Sequence, residues 1–233
     1  KFTLGGFFTR TRSGDEAQNR PDVSNRHLFT FFRVMQTLVR TQALAYRAIK
    51  DVRPEADVSL VKHTIAYDHD GTLLARFRAW FQDRYFNHHF LKRVAPHCDS
   101  FGLNYYHYVP FGRSIERKTD MGWNFAPEHI YDALHVLWKY RKPIFVSEAG
   151  IADHDDSDRA EYITKQVEGT RRAIADGVDV RGHLYWSLMD NYEWALGFEK
   201  KFGLIEIDSE TLERRVRPSA SVYKDLIDQY TLA

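Results

Sequence analysis

The sequence predicts an α/β fold on a parallel sheet, closed as a (β/α)8 barrel of the TIM type, with this chain carrying about half of it. Three observations lead there. Short segments rich in β-branched and apolar residues alternate with longer ones whose apolar residues recur at three-to-four spacing, the order that builds a parallel sheet. Asn104, Tyr106, Glu148, Trp186 and Asp190 all fall at the carboxyl ends of expected strands, the face on which barrels place their chemistry. Neither G-x-G-x-x-G nor G-x-x-x-x-G-K-[ST] occurs, which argues against an open nucleotide-binding sheet. The expected strands amount to half of the eight that a closed barrel needs.

The elements follow in order. A charged, glycine-containing stretch to about Val23 reads as loop, and Leu28, Phe31, Phe32, Met35, Leu38, Val39, Ala45 and Ile49 then predict a long helix capped by Ser24 and ended by Pro54. "DVSLVKHTI" reads as strand. "LLARFRAWFQDRYFNHHFLKRV" reads as helix, and its stripe of Leu73, Phe77, Trp80, Phe81 and Tyr85 is expected in the core. "SFGLNYYHYV" is a strand, "APEHIYDALHVLWKYR" a helix with Pro127 early in it, and "PIFVS" a strand. "RAEYITKQVEGTRRAIADG" is a helix closed by Gly177, "RGHLYWSLM" a strand, and a last helix follows Pro218. No linker or internal repeat interrupts the series, so residues 1–233 read as one domain segment.

Composition narrows the function classes. The chain has 233 residues, with 33 Lys and Arg against 32 Asp and Glu, so no net field attracts nucleic acid or an anionic membrane. No apolar run approaches the length of about 20 residues that spans a bilayer. The single cysteine, Cys98, excludes an internal disulfide and fits a soluble protein of a reducing, cytoplasmic compartment. Aromatics make up 15% of the chain, an excess that a heavy core or a ring-rich binding surface would use. The chain begins Lys1-Phe2 without methionine and shows no signal-peptide pattern there, so a missing upstream segment is expected. His63, His69, His88, His89 and His97 are dense enough to raise a metal site. His88 and His89 point about 100° apart on a helix and do not share one ion, so no metal is read.

"KPIFVSEAGIAD" ends an apolar strand on a carboxylate, Glu148, followed by a small residue and a glycine. That stretch resembles the nucleophile strand of glycoside hydrolase family 1, the β-glucosidase family, with its Thr-Glu-Asn-Gly core. "HLYWSLMDNYEWALGFEKKFGLIEID" resembles the last barrel strand and following loop of the same family almost position by position. "FGLNYYHY" is similar to its Asn-Tyr-Tyr strand, and "DRYFNHHFLKRV" to the helix before that. The resemblance runs over essentially the whole chain, weakest before residue 55, and implies strands 5 to 8, the second half of the barrel.

It also implies a retaining β-glycosidase, hydrolysing terminal β-linked sugars through a glycosyl-enzyme intermediate. Glu148 is then the nucleophile and Tyr106 the tyrosine that hydrogen-bonds it; alternation along the strand lets only one of Tyr105 and Tyr106 face the axis. Asn104 lies two residues earlier on the same face, within reach of sugar or nucleophile. Trp186 is implied as the platform under the pyranose, Glu193 as acceptor for O4 and O6, Trp194 as indole donor and Phe202 as wall near C6. Asp190 and Asn191 are expected to brace the loop rather than touch substrate. Ser147 and Ala149 depart from the family's Thr and Asn, and the loss of that Asn removes a polar support. The Asn-Glu-Pro segment with the general acid, a His-Trp pair and a sugar-binding Gln are absent. An N-terminal half, covalent or associated, is therefore expected as partner, or a homodimer that closes the barrel imperfectly. The mechanism requires no cofactor, only water. The alternative is a non-catalytic carbohydrate-binding or scaffold protein that keeps the aromatic platform without the acid.

Overall fold

The computed structural model describes residues 25–231, which fall into two compact units divided between Ala56 and Asp57. The first contributes one long helix, α1 (Asn25–Val52), which the three-to-four apolar spacing predicts. Lys50 Nζ closes its end by donating to the carbonyls of Pro54 (3.2 Å) and Ala56 (2.7 Å), a cation beside the negative end of the helix dipole. The expected Ser24 cap and the loop before it lie outside the described residues.

The second unit alternates strand and helix. β1 (Ser59–His63), β3 (Ser100–Tyr105), β5 (Ile144–Ala149) and β6 (Val180–Tyr185) form a parallel sheet in the order β1-β3-β5-β6. Two short strands, β2 (Ala66–His69) and β4 (Tyr108–Phe111), pair in parallel and prolong the β1–β3 ladder beyond a break. Thr64 N–H to the Asn104 carbonyl and Ala66 N–H to the His107 carbonyl, each 3.1 Å, bridge that break. "SFGLNYYHYV" is thus two strands parted at Tyr106 and His107, not one. A hairpin of β7 (Ile205–Ile207) and β8 (Arg214–Val216) was not expected from the sequence, and α6 (Pro218–Thr231) starts at the proline that predicts it.

Within this unit, and among the described residues, helices pack on one face of the sheet. Phe101, Leu103 and Tyr105 of β3 and Ile144, Val146 and Ala149 of β5 are buried against Ile130, Ala133, Leu134 and Leu137 of α4 (Ile130–Trp138). Each of the Phe, Leu, Ile and Val side chains among them is worth about 1.5–3 kcal/mol on transfer from water. The other face carries Val61, Phe145 and Leu184, exposed at 52%, 44% and 59%. A Cβ on Gly102 would stand 2.7 Å from both Val61 Cγ2 and Ser147 Oγ, so neighbouring strands meet closely on this bare face. A doubly wound sheet would have helices on both faces; a barrel keeps one face for its own interior.

The helical stretch after β2 runs through α2 (Leu73–Gln82), a π-helical turn (Asp83–His88) and α3 (His89–Val94). Here the structure corrects an expectation. Leu73, Phe77, Trp80 and Phe81 are exposed, and the buried residues are Ala75, Ala79, Asn87, Leu91 and Val94. The small alanines allow close approach to the sheet, while the large rings stack along the opposite side at i, i+4, with centroids 6.2 Å apart for Phe77–Phe81 and 6.1 Å for Phe81–Tyr85. The π turn is built around Asn87. Its amide donates to the Ile65 carbonyl (2.9 Å) and to Asp83 Oδ1 (2.8 Å), and its Oδ1 accepts from Ile65 N–H (3.4 Å) and Lys62 Nζ (3.3 Å). One buried side chain therefore satisfies the backbone where β1 gives way to β2.

Candidate active site

Strict alternation along β5 would put Ile144, Val146 and Glu148 on one face, the one packed on helices. The structure does otherwise, because β5 is bulged. Leu103 pairs with Val146 and the next residue, Asn104, with Glu148; on the other side Val146 pairs with His183 and Ala149 with Tyr185. The extra residue, Ser147, lets Ala149 return to the helix-covered core while Ser147 and Glu148 both stay off it. Bulges commonly re-aim a side chain in this way.

Tyr106 Oη donates to Glu148 Oε2 at 2.9 Å. Burial first, then the Glu148 charge and that hydrogen bond, and then the charge of Glu193, push the Tyr106 phenol far above its ordinary pKa, so it remains a donor at any working pH. Tyr105 points the other way and donates to the Ala126 carbonyl at 2.6 Å, the division that alternation predicts. Asn104 does not reach the carboxylate; its Oδ1 accepts from Ser147 Oγ at 2.8 Å and pins the bulge. Ala149, standing where a polar residue would be expected, is fully buried in apolar core.

After β6 the chain turns back over β5. Trp186 N–H donates to the Ala149 carbonyl at 3.1 Å, and its own carbonyl lies so near Gly150 that a Cβ there would sit 1.9 Å away, which leaves glycine as the residue that fits. The Trp186–Ser187 peptide is cis. Asp190 and Asn191 brace this loop, as the sequence predicts. Asp190 accepts from both terminal nitrogens of Arg217 (3.0 Å each) and from Gly203 N–H (2.9 Å), and Asn191 donates to Ser187 Oγ (3.0 Å). Burial alone would raise the Asp190 carboxyl, but the guanidinium and the amides outweigh it and hold it below the usual range.

Of the sequence-predicted residues, Phe202 is 1% exposed with its ring 6.3 Å from Tyr106. Glu193 is close enough for its charge to act on Tyr106, and Trp186 is half-buried beside Ala149. Trp194 stands 76% exposed in a short 3-10 turn. Sequence reasoning missed Trp123, whose ring lies 5.7 Å from Tyr106 and 6.4 Å from Phe202, and the functional placing of His63 and His107. His63 follows the rule of strand carboxyl ends, a signal that was there to read. Trp123 sits in an irregular loop, where periodicity says nothing. Among the described residues no cluster of three or more His, Cys, Asp or Glu side chains is placed to hold a metal; His88 Nδ1 is 2.8 Å from Tyr140 Oη and its Nε2 3.2 Å from Asp83.

Comparison with known proteins agrees with this fold. The family model described as glycosyl hydrolase family 1 matches residues 111–231, just over half of the chain. A β-galactosidase of Sulfolobus acidocaldarius is 47% identical over 46% of this chain and 22% of its own length. β-Glucosidase A of Acetivibrio thermocellus is 41% identical over 47% of this chain and 27% of its own. A β-glycosidase structure from Pyrococcus horikoshii superimposes with a TM-score of 0.74 at 34% identity, covering 87% of this chain and 57% of that one. For a β-glucosidase from Pyrococcus furiosus the TM-score is 0.76 at 30% identity, covering 84% and 46%. The chain thus spans about a quarter of the curated relatives it matches, at 22% and 27%, and its four parallel strands are an arc of their barrel.

Proposed function

The chain belongs to glycosyl hydrolase family 1, and from that premise we propose that residues 1–233 form one segment of the family domain, carrying the nucleophile half of a retaining β-glycosidase site. The observation that supports this most is the bulge that turns Glu148 off the helix-covered core to meet the Tyr106 hydroxyl at 2.9 Å. In the reaction, Glu148 attacks the anomeric carbon of a terminal β-linked sugar and forms a glycosyl-enzyme ester, which water then hydrolyses. Tyr106 holds the attacking oxygen in place and takes up part of its charge. Trp186, Glu193 and Phe202 receive the sugar, and Asn104 acts by fixing the bulge; Trp194 joins the site through its indole N–H once the sugar is bound. The acid that protonates the leaving group comes from an N-terminal half of the barrel, or a second copy closes the site. The single buried Cys98, its thiol pushed up to about 11 by burial, supports a cytoplasmic setting.

The test is Glu148→Ala in the enzyme completed by its N-terminal half. Turnover of an aryl β-glycoside should nearly vanish while substrate still binds, and azide or formate should restore part of it with inversion at the anomeric centre. A 2-deoxy-2-fluoro glycoside should label Glu148. Full activity in the variant, or a label on another carboxylate, overturns the assignment.

A further inference from the structure

We propose that His63 and His107 form a hydrogen-bonding pair that selects substrates whose leaving group is itself a sugar, an inference that rests on the glycosidase reading above. His63 ends β1 and His107 lies in the break between β3 and β4, residues that the β1–β3 pairing brings together. His63 Nε2 and His107 Nδ1 are 3.1 Å apart, and the rings are 4.9 Å apart between centroids. His63 lies 6.1 Å from the Tyr106 ring, and His107 lies 4.4 Å from Trp123. The pair stands on the β1 side of Tyr106, whereas the proposed sugar-binding loop follows β6 at the other edge of the sheet. A substrate running from that loop past Glu148 meets the histidines with the part that departs.

The chemistry of two neutral imidazoles in contact decides what they recognise. Burial holds His107 down at about 4 and, with the neighbouring His107 and Lys62 charges, His63 well below its ordinary value, so both are neutral at pH 7. Each neutral ring has one donor and one acceptor. The shared hydrogen bond uses the donor of one and the acceptor of the other. Whichever ring donates, the two remaining nitrogens offer one acceptor and one N–H donor, and neither has a partner among the described residues. A sugar with adjacent hydroxyls supplies the complement, one hydroxyl donating and the next accepting; an alkyl or aryl leaving group supplies neither. The charged group that acts on His63 besides its partner is Lys62, whose Nζ donates to the His63 carbonyl at 2.7 Å, and Asp83 acts in turn on Lys62. Tyr106, Phe86 and Trp123 enclose the rings.

The experiment compares kcat/KM for a β-1,4-linked glucose disaccharide with that for p-nitrophenyl β-glucoside in the completed enzyme. The disaccharide-to-aryl ratio should fall about tenfold in His63→Phe and in His107→Phe, the worth of one hydrogen bond, and recover in large part in His63→Asn and His107→Gln. A ratio that stays constant, or rates on both substrates that fall together and do not recover, overturns the proposal. Imidazole NMR resonances provide a readout independent of turnover. The disaccharide should shift the His63 and His107 signals of the wild-type enzyme and of Glu148→Ala, and glucose alone should not. If Glu148→Ala remains active, the nucleophile assignment falls while these shifts still decide the histidine pair; their absence overturns the pair alone.

Discussion

At the scale of single residues, two hydrogen-bonded carboxylates do different work. Glu148 accepts from one phenol, so Tyr106→Phe removes one bond to a charged group, worth about 1.5–3 kcal/mol. We expect kcat in the completed enzyme to fall roughly 10- to 100-fold; an unchanged kcat would mean that the tyrosine does not act on Glu148 in the reaction. Asp190 is fully engaged, with Arg217 across it and backbone amides on both oxygens. Arg217→Ala leaves that buried carboxylate only the two amides and Lys201 Nζ at 3.8 Å, and a loss of about 3 kcal/mol in folding stability should appear in denaturant titrations. Both residues were legible in the sequence as members of long local motifs. Trp123 and His107 were not, since their role comes from rings contributed by separate segments.

At the scale of elements, the helical run from Leu73 to Val94 shows what periodicity conveys and what it leaves open. The three-to-four spacing marks a helix, but both a face of large rings and a face of alanines are compatible with it, and the alanine face is the one on the sheet. Leu73→Ala, at an 84% exposed position, should therefore change stability by no more than about 0.5 kcal/mol. Asn87→Ala, in the π turn, strips partners from both Ile65 backbone groups and from Lys62, and should cost about 2–3 kcal/mol. Equal effects of the two substitutions in urea titrations would refute this division of the helix. The alternation argument succeeded for Tyr105 and Tyr106 because the extra residue of the β3–β5 ladder lies on β5, which leaves the parity of adjacent residues in β3 intact. It would have failed for Glu148, where a single inserted residue reverses the parity.

At the scale of the whole molecule, buried titratable groups set the pH response. Burial lowers His107 and His183 to about 4 and His63 well below its ordinary value, so the unfolded chain takes up protons near pH 6.5 that the folded one refuses. Stability should thus fall as pH drops from about 6.5 toward 4. Lys62, brought down to about 7 mainly by burial, is neutral in the fold above that pH while still protonated when unfolded, which adds stability as pH rises toward about 10. Cys98 opposes this above about 8.5, because its thiol stays protonated in the fold. Melting temperature measured across pH should rise from 4.5 to about 8.5 and flatten beyond; a maximum below pH 6 would contradict the burial of these groups. For catalysis, the general acid must stand about 5–5.5 Å from the nucleophile carboxyl. These residues alone should not cleave aryl β-glycosides at an enzyme's rate, and activity should appear when a segment bearing Asn-Glu-Pro completes the barrel.

What the sequence determined by itself is local in origin. The order of strands and helices follows from short-range periodicity, the glutamate at a strand tip and the braced loop after β6 from contiguous motifs, and the opposite facing of Tyr105 and Tyr106 from period-two alternation, with the choice between them resting on the family resemblance. Tertiary structure decided whatever depends on segments meeting. It set the register of β3 against β5 that bulges Ser147 and turns Glu148 off the core, the helix face that touches the sheet, and the contact of His63 with His107 across 44 residues. Such features are chosen by packing and by the satisfaction of buried backbone groups between distant segments, and no window of neighbouring residues contains both sides of that choice.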